Sequence, residues 1–132
     1  MLNKNTGKLK AKIDPRNLNL TNYFSENSFC TTPSKHDWTA VKQTDWGVYH
    51  NDRLNNCTCA AAAHMLKCWT ANAKTEIIIS DDEVLETYSK IKGYDATTGE
   101  GDEGAYALDT LKYCRKNGSG LHKIKAFEKI QH

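Results

Sequence analysis

The sequence predicts an α+β fold with one central buried helix, two further helices and short strands, and three observations carry that prediction. A run of helix formers, CTCAAAAHMLKCWTAN over 57–72, follows a polar turn and repeats apolar residues at helical spacing. Ser80-Asp81-Asp82-Glu83 has the form of a capping box, which opens a second helix. The segment LHKIKAF over 121–127 reads as a strand. At 132 residues with 39% hydrophobic content the chain suffices for one domain with a modest core.

Residues 1–12 are rich in lysine and asparagine and poor in apolar side chains, so they are expected to form a flexible basic arm, with a single domain over 13–132. Asp14-Pro15 forces an extended or turn conformation, and Leu18, Leu20, Tyr23 and Phe24 supply anchors for a strap across the domain. Residues 25–37 read as loop. Trp38, Val41, Trp46, Val48 and Tyr49 then suggest extended pieces beside the central helix, with both tryptophans in the core. In that helix Asn56 is the expected N-cap. Cys57, Ala61, His64, Met65, Cys68 and Trp69 share one face by their spacing, and that face is predicted to be the buried one. The second helix spans roughly 81–92, with Val84, Leu85, Tyr88 and Ile91 inward and Gly93 in the left-handed position that ends it. A third helix is expected over about 105–116, with Leu108, Leu111 and Cys114 inward.

Charge is segmented along the chain. Residues 1–16 carry five Lys or Arg against one Asp, residues 75–110 carry ten acids against Lys90 and Lys92, and residues 112–129 carry six bases against Glu128. The acidic, glycine-rich loop DATTGEGDEG over 95–104 lacks the spacing of an EF-hand, so no metal is assigned to it. Five cysteines at irregular spacing and an N-terminus without an apolar leader core point to a reducing, cytoplasmic setting. No stretch reaches the roughly 18 apolar residues of a membrane span.

The chemistry concentrates at Cys57. A thiol in the first turn of a helix faces unpaired N–H groups and the positive end of the macrodipole, which favour thiolate, so Cys57 is expected to be an activated nucleophile with a lowered pKa. The competing reading is a core helix that happens to contain cysteines. A base is harder to find. His64 lies seven residues along the helix, about 10.5 Å by helical rise, beyond hydrogen-bond reach. His50, in the preceding loop, is the one nearby candidate. Cys57, Cys59, His64 and Cys68 are soft-ligand types, but the helix spreads Cys57 and Cys68 about 16 Å apart, so no metal site is expected.

The segments GKLKAKIDPRNLNLTNYF, DWGVYHNDRLNNCTCAAAAHMLKCWTAN, DDEVLETYSKIKGYD, the Gly-Ala-x-x-Leu-Asp-x-Leu-Lys-Tyr pattern at 104–113 and GLHKIKAF occur in this order along nearly the whole chain. In that order they resemble a family of papain-like cysteine peptidase-like proteins of bacteria and phages. The resemblance implies a truncated papain-like cysteine-peptidase fold, its helical half and first strand, with Cys57 at the nucleophile position and Asn51, six residues earlier, at the oxyanion position. Family members read GNDRxGDCT where this chain has His50 through Thr58, so two glycines and an aspartate are replaced. The family continues into a β-rich half whose Gly-Gly-His segment carries the general base, and this sequence stops at His132 before any such segment.

The expectation is therefore a non-catalytic protein-binding or inhibitory protein, phage-encoded by the resemblance and acting on a host defence complex in the host cytoplasm. Its binding face is expected at Glu100, Asp102 and Glu103, which would meet a basic protein surface such as one that holds nucleic acid. No cofactor and no direct binding to nucleic acid or membrane are expected. The rival reading is a cysteine peptidase using Cys57, with its general-base half downstream or in a partner chain and His50 as a local substitute.

Overall fold

Alanine has the highest helix propensity and, after glycine, the smallest side chain, and of the run Ala60–Ala63 the side chains of Ala60 and Ala63 lie in the core. A computed structural model describes residues 8–23, 33–41 and 44–129. Helix α1 spans Cys57–Asn72, α2 spans Asp81–Lys92 and α3 spans Ala107–Lys116. Each helix touches the other two, and the small side chains of α1 let both neighbours approach. Leu18–Asn19 (β1) and Glu128–Lys129 (β2) form a parallel pair, Leu18 opposite Glu128 and Asn19 opposite Lys129. The described part of the molecule is thus a small α-rich domain with a minimal ribbon.

The core gathers Cys59, Ala60, Ala63 and Leu66 from α1 with Val84 and Tyr88 from α2, closed by Tyr49, Ile79 and Ala105. α2 has the ends its sequence predicts. Ser80 accepts the Glu83 N–H while the Glu83 carboxylate accepts the Ser80 N–H at 2.8 Å, and Gly93 ends the helix at φ 73°. α3 begins two residues later than predicted, with Cys114 buried, Leu108 and Leu111 half-buried, and Thr110 buried as well.

Several expectations are corrected. The predicted inner face of α1 is its outer one: Ala61, Met65 and Trp69 are exposed, Cys57, His64 and Cys68 are half-buried, and the buried set is Thr58, Cys59, Ala60, Ala62, Ala63, Leu66 and Lys67. The helix is apolar almost all round, so periodicity finds two candidate faces and cannot choose between them. Of the two tryptophans assigned to the core, Trp46 is half-buried and Trp38 is 61% exposed. Residues 121–127 form no strand, because β1 offers a partner only to 128 and 129; Ile124 still packs on the core and its N–H donates to the Cys114 carbonyl at 3.4 Å.

Residues 8–12, part of the expected free arm, lie against the body. The Leu9 N–H donates to the Ala105 carbonyl at 3.2 Å, and the Lys12 ammonium meets Asp109 at 2.5 Å and the Tyr106 ring at 3.9 Å. Asp14 then accepts from Arg16 and, at 2.6 Å, from Lys112, tying the strap to α3. Phe24, Cys30, His132, residues 1–7 and most of the expected loop 25–37 fall outside the described residues.

Candidate functional site

The turn that delivers Cys57 is built on backbone that glycine ordinarily takes. Gly47 has φ 68°, and Tyr49 and His50 follow at φ 52° and 59°, left-handed values that cost an L-residue about 1–2 kcal/mol each. The Asn51 N–H donates to the Val48 carbonyl at 2.9 Å, and the His50 carbonyl accepts from Arg53 at 3.0 Å and Leu54 at 2.8 Å. Such a conformation persists only where its surroundings fix it. Tyr49 is buried against the His64 ring, with centroids 4.8 Å apart, and the Asn56 amide donates to the Tyr49 carbonyl at 2.7 Å.

Asn56 is therefore not the side-chain cap it was expected to be. It is fully buried, and its amide satisfies a turn carbonyl rather than the helix N–H groups, while its backbone carbonyl accepts from Cys59 and Ala60. The next anchor comes from the acidic loop. Asp102 accepts the Asn55 N–H at 2.8 Å and the Tyr88 hydroxyl at 2.8 Å, and its carbonyl accepts the Asn55 amide at 2.9 Å. The Tyr88 oxygen in turn accepts the Gly104 N–H at 3.0 Å. This latch joins the turn before α1, helix α2 and the loop before α3. Sequence reasoning missed it, although Asn55 standing at a glycine position of the resembled pattern was a signal that the side chain there has work to do.

Asp102 is thus turned inward and half-buried, unlike Glu100 and Glu103, which remain exposed. The three do not form the single outward-facing carboxylate set that was expected.

Cys57 opens α1 half-buried and lines, with Lys8, Ala61, Met65, Ala107 and Leu111, a hollow of 260 Å³ between α1 and α3. The N–H groups of Thr58 and Cys57 and the charge of Lys8 favour thiolate, as helix-start geometry requires. Burial acts against them and prevails, so the thiol is pushed above its ordinary value rather than lowered. The buried Cys59 thiol goes further, up to about 11, for the same reason.

Among the described residues no histidine joins Cys57. His50 Nδ1 lies 2.7 Å from the Arg53 guanidinium, and its Nε2 lies 3.9 Å from the Asp81 carboxylate. His64 Nε2 faces the carbonyls of Trp46 at 3.1 Å and Gly47 at 3.3 Å, which makes it a donor and a structural clamp. Asn51 is exposed on the turn, and among the described residues no hydrogen bond links it to Cys57. The nucleophile, base and oxyanion positions read from the sequence are neighbours along the chain but are not joined as a catalytic set. No group of three or more His, Cys, Asp or Glu side chains converges as a metal site among the described residues, and no helix is long and apolar enough to cross a membrane.

No protein-family model, no curated protein and no solved structure matches the chain.

Proposed function

We propose that the chain is a non-catalytic protein-binding module, the helical half of a papain-like domain whose α1 face serves as the docking surface. The observation that carries this is a row on α1 left exposed among the described residues, where Ala61, Met65 (38% exposed) and Trp69 (53% exposed) run in line from Cys57. A helix that is apolar almost all round is ordinarily covered on most sides, and among the described residues α2, α3 and the segment carrying Trp38, Trp46 and Tyr49 leave this row exposed. The left-handed φ of His50 supports the same reading, since the resembled pattern has glycine there. A host defence complex with a basic surface, such as one that holds nucleic acid, remains the partner class that the resemblance suggests.

The proposal is tested with a photo-crosslinking phenylalanine analogue at position 65 or 69, compared with position 100 or 103, in the cell that makes the protein. Adducts to one partner from 65 and 69 support it. Adducts from 100 and 103 alone would move the interface to the acidic loop.

The position of the Cys57 thiol against two helix N–H groups favours a second reading, in which the chain becomes a cysteine peptidase when a general-base half is supplied downstream or by another chain.

A further inference from the structure

The two basic segments of the sequence come together on one side of the molecule. The strap over 8–17 crosses α3 and encloses, with Phe127, a groove of 550 Å³. Its apolar wall is made by Ile13, Ala107, Leu108, Leu111 and Phe127. Asp14, Asn17 and Phe127 also line an adjoining hollow of 410 Å³ bounded by Arg16, Lys112 and Arg115.

Charge around this groove is unbalanced. Lys8, Lys10, Lys12, Arg16, Lys112 and Arg115 line the two hollows, against Asp14 and Glu128. Lys12, Arg16 and Lys112 are engaged by Asp109 and Asp14, whereas the exposed Lys8, Lys10 and Arg115 have no ion-pair partner among the described residues. Arg115 lies over the Phe127 ring at 5.6 Å, so a cation and an apolar surface are presented side by side.

The strap also has an open edge. After the Leu9 N–H bonds to Ala105, residues 10–13 continue exposed, and among the described residues they make no backbone hydrogen bond to another segment. Exposed backbone outside any helix or strand, with its N–H and C=O groups left unused among the described residues, can template an added strand.

We propose that this groove docks an extended acidic peptide segment of another protein, paired along residues 10–13 with an apolar side chain seated between Leu108, Leu111 and Phe127. Carboxylates on the peptide answer Lys8, Lys10 and Arg115, and the apolar wall distinguishes such a peptide from a simple polyanion, which has nothing to seat there. Lys8, Ala107 and Leu111 line both this groove and the hollow at Cys57, so the two adjoin, while the groove itself is walled by the strap, α3 and Phe127 and not by α1.

The test pans displayed random twelve-residue peptides against the full chain, with counter-selection on Lys10→Glu/Arg115→Glu. Both side chains are exposed, and Lys8→Glu/Lys10→Glu serves as a second variant should the first lose its thermal transition. The expected winners carry two or more carboxylates around an apolar residue and bind the wild type at least tenfold tighter than the variant. They lose affinity as salt rises, and they slow amide exchange at residues 10–13. Failure to enrich any clone over the variant, winners indifferent to the charge reversal, or unchanged exchange at 10–13 would overturn the proposal. Equal or tighter binding of a mixed-sequence single-stranded oligonucleotide would replace it with a nucleic-acid surface.

Discussion

At the scale of single residues, burial decides what Cys57 can do. Its pKa is raised, so alkylation should be slow at pH 6 and reach half its limiting rate only above the ordinary thiol value, as peptide mapping across a pH series would measure. Cys57 should nevertheless react before the fully buried Cys59 and Cys114, because access as well as acidity sets the rate. A half-maximum below pH 8 would show that the helix N-terminus outweighs burial. Asp102 is the second decisive residue. Asp102→Ala leaves the Asn55 N–H and the Tyr88 hydroxyl without their acceptor and should cost about 2–3 kcal/mol in denaturant unfolding. Glu100→Ser/Glu103→Ser, on exposed sites of the same loop, should stay within about 0.5 kcal/mol. At His50, which sits at φ 59°, glycine relieves left-handed strain while giving up the contact with Arg53, so His50→Gly should be neutral or stabilising by up to about 1 kcal/mol.

At the scale of elements, the start of α2 is coupled to a turn far along the chain. Gly120 has φ 58°, and a Cβ there would meet the Glu83 carboxylate, which is already held in the capping box. Gly120→Ala should therefore cost about 1–2 kcal/mol by equilibrium unfolding, and less in a Ser80→Ala background, where the box is already broken at a cost of about 1 kcal/mol. Additive costs would mean that the two sites are independent. The cap and the inward residues of α2 were legible because Ser80, Glu83 and Gly93 each carry a local signal and Val84 and Tyr88 fall on a narrow apolar stripe. α1 was legible as a helix but not in its facing, since Ala60–Ala63 are the same on every side and Met65 and Trp69 drew the pattern outward. The turn into Cys57 was legible as a polar turn. Its locks were not, because Asn55 to Asp102 and Thr58 to Thr110 (3.0 Å) join residues some fifty positions apart, and no local pattern encodes such partners.

At the scale of the whole molecule, the strap and the helices are joined through Asp14. The Arg16 guanidinium first, and then the Lys112 ammonium, hold its carboxyl far below the ordinary carboxylate range. A depressed folded-state value means that the stabilisation is fully present above the unfolded carboxylate value of about 3.9 and is lost progressively as pH falls below it. Wild type should therefore lose thermal stability on acidification below pH 4 more steeply than Asp14→Asn, with the two curves converging at the lowest pH. Parallel curves would show that the pairing contributes nothing to the acid limb. At the same scale stands the proposed function, a binding module whose α1 row is left exposed and whose Cys57 has no histidine beside it among the described residues. The most direct test is turnover of fluorogenic peptides by the isolated chain, wild type beside Cys57→Ala. The two are expected to be indistinguishable from each other and from buffer; hydrolysis by the wild type that vanishes in Cys57→Ala would overturn the binding-module reading.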